Sequence, residues 1–413
     1  MRNPTDAGGS PGALPIKALT CMMFFTFAMT TDAVGSVIPE LLREYDLTLT
    51  AAGAFHYVPM ISIAAGGLAL GFLADRAGRK ATIIGGLVAY GASSLLFAFG
   101  SAFAFFVLLL GVAGIGVSVF KVGALALIGD ISRSTRAHTA FMNTVEGFFA
   151  VGAIAGPAIV ATLLAAGISW KYLYVLAAVI CGALIVTAAA VRYPRTEKPP
   201  RATPGFSHTL TMLRNPYALG FSALIMLYVA VEVAIYVWMP TYLASYSGSA
   251  GSLVAYALTI FFVLRAAGRF LGAWVLGRAS WRTVLAAFSL AILLCFAGSL
   301  YGGPAYGVYL LPLSGLFMSI VYPTLNSKGI SCFTRAEHGA VAGIILFFTA
   351  FAAAVGPLAM AAVSDAFGDI RFGFVLATGF ALLLFIGTLA NWRYDPAGRR
   401  LAEIDGADYA AAQ

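Results

Sequence analysis

Charged residues are scarce in this chain, and their scarcity excludes a globular protein with a water-facing surface. Only 10% of the 413 residues are Asp, Glu, Lys or Arg, whereas 61% are hydrophobic. The mean hydropathy is +0.90. A surface this poor in charge is stable only where lipid takes the place of water around it. The composition therefore predicts an integral membrane protein that is surrounded by a lipid bilayer.

The sequence also lacks the short motifs that support ATP-driven or metal-dependent chemistry. There is no G-x-x-x-x-G-K-[ST] loop to hold ATP and no H-E-x-x-H pair to hold zinc. The glycines of the segment Gly111–Gly116 lie within an apolar run, where they favour close helix packing rather than nucleotide binding. We therefore expect no enzyme activity, no catalytic residue, no cofactor and no metal site.

Cysteine is rare as well, and its spacing excludes the common redox and metal motifs. All four cysteines lie in apolar runs, and no two of them have C-x-x-C spacing. This pattern predicts buried thiols that have no catalytic role. They are Cys21, Cys181, Cys295 and Cys332.

Apolar runs of about 20 residues recur along the chain, and each is long enough to cross the hydrocarbon core of a bilayer as a helix. We count six before the charged, proline-rich segment 192–214 and six after it. Their starts lie near Ile16, Thr50, Ala81, Phe103, His138, Ser169, Tyr217, Gly251, Trp281, Ala305, Glu337 and Arg371. The sequence thus predicts an all-α membrane protein with twelve transmembrane helices in two six-helix bundles. The predicted parts are an N-terminal tail 1–15, a first bundle 16–191, a linker 192–216, a second bundle 217–392 and a C-terminal tail 393–413.

An internal repeat supports two related halves. Gly156-Pro157 recurs as Gly356-Pro357, 200 residues later. The basic segment from Gly71 to Lys80 has a weaker counterpart from Gly272 to Arg282, at an offset of 201. Two six-helix repeats explain both offsets, so we expect the bundles to be related by pseudo-symmetry.

The distribution of Lys and Arg predicts the orientation in the membrane. By this assignment 19 of the 25 lie in the tails and the even-numbered turns, three in the opposite turns and three inside helices. The positive-inside rule then places both termini and the linker in the cytoplasm. The net charge of +8 therefore reflects topology and requires no nucleic-acid partner. The first apolar run is too long for a signal peptide. We expect a monomer in a bacterial inner membrane, with a polar, disordered tail beyond Arg393.

The segment Gly71–Lys80 places three cations and one acid between two apolar runs. It resembles the G-x-L-A-D-R-x-G-R-K signature of the major facilitator superfamily, at every fixed position. The resemblance covers nearly the whole chain and implies a secondary transporter whose halves rock around a central site. It implies a gating role, without substrate contact, for the motif and for the acid and base at the cytoplasmic end of the fourth helix. These gating residues are Gly71, Asp75, Arg76, Gly78, Arg79, Lys80, Asp130 and Arg136.

Charges inside the predicted helices are costly, and they are normally paired or exposed to a water-filled cavity. Six occur here, three acids and three bases: Asp32, Lys121, Glu146, Glu232, Arg265 and Lys328. Two readings stay open for each. In the first reading, salt bridges join Lys121 to Glu146 and Glu232 to Arg265 and only hold helices together. In the second reading, these residues contact the substrate or the proton.

Two of the acids occupy the first helix of each predicted half. Those helices line the cavity in transporters of this superfamily, so Asp32 and Glu232 are candidates for proton coupling, and Glu146 is a third. The alternative for Asp32 is a polar anchor to a neighbouring helix.

The seventh helix carries a face that suits a sugar. Tyr228, Glu232 and Tyr236 recur four residues apart, and Trp238 follows. Phenols and carboxylates hydrogen-bond hydroxyl groups, and an indole covers the weakly apolar face of a pyranose ring. The alternative is aromatic anchoring at the membrane interface, which explains Tyr242 better than Tyr228.

Three helices resemble the fucose and glucose proton symporter branch of the superfamily. The matching segments are Tyr228–Glu232 with Pro240–Leu243, Gly315–Thr324 with Ser327–Ile330, and the fifth helix with its Asn143, Glu146 and Gly156-Pro157. The resemblance implies substrate-binding roles for Asn143, Tyr322 and the nearby Asn326. Asp32 lies about one turn earlier than the acid of that branch. Lys121 has no counterpart there.

These patterns predict a secondary active transporter that imports a sugar with a proton. The alternative is a transporter or exporter of organic anions, or of another small metabolite, vitamin or drug, because Lys121 and Arg265 would attract a carboxylate or a phosphate. A receptor or assembly factor that binds without transporting is a further alternative, against which the intact loop motif argues.

Overall fold

The computed structural model describes residues 13–70, 77–131, 135–191, 193, 214–276, 278–333 and 338–403. Within these ranges the chain forms sixteen helices of four or more residues and no β-strand, and the first fifteen are given labels here. In chain order they are α1 (Ala13–Thr31), α2 (Val34–Tyr45), α3 (Leu49–Ala52), α4 (Ala54–Leu70), α5 (Arg79–Leu96), α6 (Phe103–Ile131), α7 (Thr135–Ala165), α8 (Tyr172–Ala190), α9 (Pro216–Leu243), α10 (Gly251–Leu276), α11 (Trp281–Gly302), α12 (Pro304–Met318), α13 (Val321–Ser331), α14 (His338–Phe367) and α15 (Ile370–Tyr394). A further helical turn covers 398–403.

Length and composition qualify these helices as membrane spans. Ten segments of the described chain are long and apolar enough to cross a bilayer, and Ala54–Gly66 is a shorter apolar helix. Helix α5, with 18 residues, brings the number of these elements to twelve. Two spans consist of consecutive helices, α1 with α2 and α12 with α13. The predicted fold class, an all-α protein with twelve transmembrane helices, is therefore confirmed.

The chain divides into two compact units. Unit 1 comprises residues 1–46 and 54–199, and unit 2 comprises 47–53 and 200–413. The short segment 47–53 belongs to unit 2 because the Asp365 carboxylate accepts hydrogen bonds from the backbone N–H groups of Leu49, at 2.9 Å, and Thr50, at 2.8 Å. The predicted linker 192–216 lies outside the described residues except for Tyr193 and 214–216.

Equivalent helices pack on each other in both units. This agreement is what the internal sequence repeat predicts. In unit 1, α1 packs on α7 and α8, α6 packs on α4 and α5, and α5 packs on α8. In unit 2, α9 packs on α14 and α15, α12 packs on α10 and α11, and α11 packs on α15. Each unit is thus a bundle with the same order of neighbours.

The repeated Gly-Pro pair marks a close crossing in each unit. A Cβ at Gly156 of α7 would collide with the backbone carbonyl of Met29 in α1, and a Cβ at Gly356 of α14 would press against Ala230 in α9. Met29 and Ala230 are 201 residues apart, so both glycines serve the same crossing in their own unit. Small residues at a crossing let two membrane helices approach until their backbones touch.

The loop motif is described only in part. Gly71, Asp75 and Arg76 lie outside the described residues, and so do the side chains of Asp130 and Arg136. The remainder forms the start of α5, where Gly78 has a φ of +86° that favours glycine.

Lys80 of this motif has a defined partner in unit 1. Its Nζ donates a hydrogen bond of 2.6 Å to the carbonyl of Ala189 and lies 6.0 Å from the centre of the Tyr193 ring. Because α8 ends at Ala190, the ammonium sits on the negative end of the helix dipole. The last residues of the motif therefore hold α5 and α8 together.

The predicted disorder beyond Arg393 is wrong for residues 394–403. Asp395 forms an ion pair of 2.6 Å with Arg282, and Ala397 is fully buried. The Arg400 Nε donates a 3.0 Å hydrogen bond to the carbonyl of Cys332, just beyond α13. The tail looked polar in sequence, but its charges find partners at the ends of α11 and α13.

All four cysteines are free and buried, as predicted. Cys332, which lies just outside its membrane span, shows the chemical consequence. Burial raises the pKa of its thiol to about 11. The reactive thiolate is therefore scarce at neutral pH.

Candidate functional site

The first candidate acid lies where a membrane-spanning helix is interrupted. Helix α1 ends at Thr31 and α2 begins at Val34, and half-buried Asp32 stands in the interruption. The backbone N–H of Asp32 still bonds to Ala28 at 3.0 Å, so the helix stops at the acid itself. Interrupted helices in transporters offer backbone groups and side chains to substrates and ions.

Threonine hydroxyls line the turn before this interruption. The hydroxyls of Thr30 and Thr31 both bond to the carbonyl of Phe27, at 3.1 and 2.8 Å. The Thr30 hydroxyl also shares a 2.6 Å hydrogen bond with the phenol of Tyr90 on α5. Thr30, Thr31 and Tyr90 line a narrow cavity in unit 1, together with Tyr174 and a set of apolar residues. Sequence reasoning missed Tyr90, although a phenol in an apolar helix is a signal for a buried polar contact.

Lys121 of α6 lies against aromatic rings of α1. Its Nζ is 5.0 Å from the centre of the Phe27 ring and 5.6 Å from that of Phe24. Both rings are buried, and Phe27 in turn contacts Phe149 of α7 with centres 5.7 Å apart. A cation over the faces of two aromatic rings is stabilised electrostatically while it keeps its charge.

Two acids act on this cation from either side. The charges of Glu146 and of Asp32 both attract the Lys121 ammonium. Within the described residues no direct ion pair forms between Lys121 and Glu146, and Glu146 is exposed on α7. Asp32 and Glu146 are thus the acids whose charges act on Lys121 in unit 1. The side chain of Asn143, one turn before Glu146, lies outside the described residues.

The fourth and fifth candidates form a close ion pair in unit 2. The Arg265 Nη2 of α10 lies 2.5 Å from the Glu232 Oε1 of α9, with side-chain exposures of 22% and 8%. The sequence left open whether Glu232 pairs with Arg265 or stands free for the substrate or proton. The structure shows the ion pair with Arg265. Both charges are compensated locally, and their mutual attraction is strong because water is largely excluded.

Tyr228 connects this pair to the second interrupted helix. Its fully buried phenol donates a 2.9 Å hydrogen bond to the carbonyl of Met318, the last residue of α12. The interruption follows from Pro323, which has no N–H for the carbonyl of Ser319 and whose ring clashes with it. The ring of Tyr322, on the other side of the break, lies 6.3 Å from that of Tyr228. Pro323 is the feature of the sequence that indicates this break, but it entered the predictions only as part of the resemblance to the symporter branch.

The other predicted binding residues divide by burial. Tyr236, Tyr322 and Asn326 are half-buried, and the Tyr236 ring lies 6.3 Å from that of Phe262 on α10. Trp238 is fully buried, and its indole Nε1 donates a 3.1 Å hydrogen bond to the carbonyl of Pro357. Pro357 lies inside α14, so the indole bonds to a carbonyl of that helix. The structure therefore places Trp238 in the packing of α9 on α14.

No group of three metal-ligating side chains occurs among the described residues. The chemistry available is that of two clusters. In unit 1 a lysine lies between two acids and two aromatic rings, and in unit 2 an ion pair lies beside phenol groups and a helix break. Such clusters can bind a proton or polar groups of a small solute.

Comparisons with known proteins agree with this architecture. A family model described as Major Facilitator Superfamily matches residues 20–356. The chain is 24% identical to the L-fucose-proton symporter of Escherichia coli (strain K12), across 88% of this chain and 90% of the symporter. It is similar to the solved nucleoside transporter NupG, with a TM-score of 0.73 and 16% identity over 93% of this chain and 100% of that chain. A solved D-xylose-proton symporter gives a TM-score of 0.73 and 14% identity over 93% and 98% of the two chains. At these identities the two solved structures establish a common fold.

Proposed function

Because this chain belongs to the major facilitator superfamily, we propose that it is a secondary active transporter that imports a neutral sugar together with a proton. Its homologues are transporters and not enzymes. We infer that it lies in a bacterial inner membrane with both termini in the cytoplasm, that it works as a monomer, and that it moves its substrate by alternating access. The loop motif, in this proposal, controls the change between states and does not touch the substrate.

One observation carries the choice of a neutral substrate: both mid-membrane cations already have negative partners. Arg265 is paired with Glu232 at 2.5 Å, and the charges of Asp32 and Glu146 act on Lys121. An anionic substrate would have to displace these acids and leave them uncompensated in a medium of low dielectric. The clusters therefore disfavour the organic-anion alternative, which rested on the same two cations.

The polar groups around the ion pair suit hydroxyl groups. A carboxylate accepts hydrogen bonds, a guanidinium donates them, and phenols and amides do both. The half-buried Tyr236, Tyr322 and Asn326 add phenol and amide groups near the pair and the α12–α13 break. A sugar, with donors and acceptors all around its ring, matches such a mixed set. Trp238 takes no part, since its indole is enclosed between α9 and α14.

The relatives narrow the choice of test compounds. The L-fucose-proton symporter resembles this chain over most of both sequences. One solved relative is a D-xylose-proton symporter. Another is the nucleoside transporter NupG. All three substrates are neutral and rich in hydroxyl groups. We therefore propose L-fucose, D-xylose and uridine as the first probes.

The test is uptake into proteoliposomes that carry the purified full-length chain and an imposed inward proton gradient. We expect one of the three labelled probes to accumulate, and a protonophore to abolish the accumulation. Benzoate and succinate serve as anionic probes in the same experiment. Proton-driven accumulation of an anion, without any of the neutral probes, would refute the proposal.

A matched pair of variants tests the coupling role of Asp32. Asp32→Asn should abolish gradient-driven accumulation but retain exchange of the probe across the membrane, because the proton site is lost and the substrate site is kept. Asp46→Asn is the control, since Asp46 follows α2 in a left-handed conformation that Asn also adopts. Normal proton-driven accumulation by the Asp32→Asn protein would exclude Asp32 as the coupling residue.

A further inference from the structure

The chain beyond the last membrane helix is bonded to unit 2 at two points. Just after α15, Asp395 has a left-handed conformation with a φ of +44°, and its Oδ2 lies 2.6 Å from the Nη1 of Arg282 at the start of α11. Five residues later, the Arg400 Nε donates a 3.0 Å hydrogen bond to the carbonyl of Cys332, which follows α13. Residues 395–403 thus connect α11 to the end of α13, and we call this segment the strap.

The strap is packed as well as bonded. Ala397, which lies between the two bonded residues, is only 1% exposed. A Cβ at Gly398 would collide with the Asp395 carboxylate, so glycine leaves room for that carboxylate beside the strap helix. The Nη1 of Arg400 also lies 3.8 Å from the Glu403 carboxylate, which helps to hold the guanidinium in place. The strap is therefore an ordered part of unit 2.

Arg400 acts on a helix whose other end is interrupted. Helix α13 has 11 residues and is about 16 Å long. It begins after the break at 319–320 and ends next to Cys332. Carbonyl groups at the C-terminal end of a helix lack partners within the helix and carry a partial negative charge. The Arg400 guanidinium supplies a donor and a positive charge at this end, so it holds α13 at the end opposite the break.

Helix α13 also carries two of the proposed binding residues, Tyr322 and Asn326. They lie four residues apart and therefore on the same face of the helix. Asn326 is six residues from Cys332, which corresponds to about 9 Å along the helix axis. Hydrogen bonds form only within a narrow range of distance and angle. A small tilt of α13 would therefore change the contacts that both side chains can make with a substrate.

We propose that the strap positions α13 through Arg400 and thereby sets the affinity of unit 2 for its substrate. The inference deepens the proposed transport function and rests on it for the roles of Tyr322 and Asn326. Arg400 is a positioning residue that does not touch the substrate. It fixes one end of α13, and the helix transmits that position to the two side chains.

The first test needs no substrate. Hydrogen–deuterium exchange of the purified full-length chain in lipid nanodiscs, measured by mass spectrometry, follows the peptides that cover residues 321–331. Arg400→Gln should raise their exchange rate about fivefold, the factor expected for the loss of one hydrogen bond. Arg400→Lys keeps a charged donor and should stay close to the wild-type rate.

Arg399→Gln is the matched control for this measurement. It removes the neighbouring cation, whose side chain is 91% exposed and pairs with Glu403. Its exchange rate over residues 321–331 should equal that of the wild type. An unchanged rate in Arg400→Gln, or an equal rise in Arg399→Gln, would overturn the inference.

The second test measures proton-driven uptake of labelled L-fucose, D-xylose and uridine into proteoliposomes. For the probe that accumulates, Arg400→Gln should raise the KM about fivefold and keep the maximal rate per folded transporter, because one substrate contact of α13 is misplaced. Arg400→Lys should restore the wild-type KM.

A strap that only stabilised the protein would give a different pattern. Arg400→Gln would then lower the maximal rate and leave the KM unchanged, and this result would overturn the inference. If the wild type accumulates none of the three probes, the proposed function fails, while the exchange measurement still decides whether the strap holds α13.

Discussion

Replacing Arg265 with glutamine removes the guanidinium that lies 2.5 Å from the Glu232 carboxylate, whose side chain is 8% exposed. The carboxylate then stays in a medium of low dielectric without its partner. Breaking a buried pair in this way costs about 3 to 5 kcal/mol. Because Arg265 itself is 22% exposed, water relieves part of the penalty, and we expect a loss near the lower end, of about 3 kcal/mol.

The double variant separates the loss of a partner from the loss of the pair. Glu232→Gln with Arg265→Gln leaves two neutral amides that can bond to each other, so the double variant should lose only about 1 kcal/mol. The two single losses therefore should not add, and the double variant should be more stable than the Arg265→Gln variant by about 2 kcal/mol. Equilibrium unfolding in mixed micelles of dodecyl maltoside and SDS measures all three values.

A second ion pair of the same unit provides the control. Arg282 and Asp395 lie 2.6 Å apart at the start of α11, but their side chains are 30% and 35% exposed. Arg282→Gln should cost less than about 1 kcal/mol, as exposed pairs usually do. Equal losses for Arg265→Gln and Arg282→Gln, or additive losses in the Glu232, Arg265 double variant, would refute the argument from burial.

The same proteins show whether the pair also contacts the substrate. A pair that only holds α9 and α10 together should be dispensable once the charges are removed in concert, so the double variant would regain sugar uptake. A pair that binds the sugar should regain stability without uptake. We expect the second result, because the phenol groups and the helix break around the pair form a polar cluster that helix packing alone does not require.

Three further variants test individual contacts. Tyr228→Phe leaves the Met318 carbonyl without its hydrogen bond and should cost about 1 to 3 kcal/mol in the same unfolding assay, and a loss below the error of the assay would argue against a structural role at the break. Gly78→Ala forces a side chain into a φ of +86° and should cost about 1 to 2 kcal/mol, more than Gly78→Asn. Arg400→Gln removes the bond to the Cys332 carbonyl and should accelerate maleimide labelling of that buried thiol several-fold, whereas an unchanged rate would show that the tail stays docked without it.

Sequence periodicity predicted the helices and the repeat well, for a physical reason. A membrane helix must be apolar over its whole length, so each span leaves a continuous signal of about 20 residues. The Gly156 and Gly356 crossings were also visible, because a close crossing admits only small residues and a repeat duplicates it.

The interruptions of α1–α2 and α12–α13 were not predicted, because an apolar run looks the same whether or not its backbone is continuous. Pro323 could have indicated the second break, since it removes the bond to the residue four positions earlier. No comparable signal marks the first, where Pro39 lies seven residues beyond Asp32. The docked tail was missed for another reason: its charges are stabilised by Arg282 and by the Cys332 carbonyl, which only the fold brings near.

The charged residues show that their positions on consecutive helices do not alone decide whether they form an ion pair. Glu232 and Arg265 lie on consecutive helices, and the fold pairs them directly. Lys121 and Glu146 also lie on consecutive helices, yet Lys121 rests on the rings of α1 and shares its charge between two acids. The difference comes from α1, which contributes both the aromatic faces and Asp32.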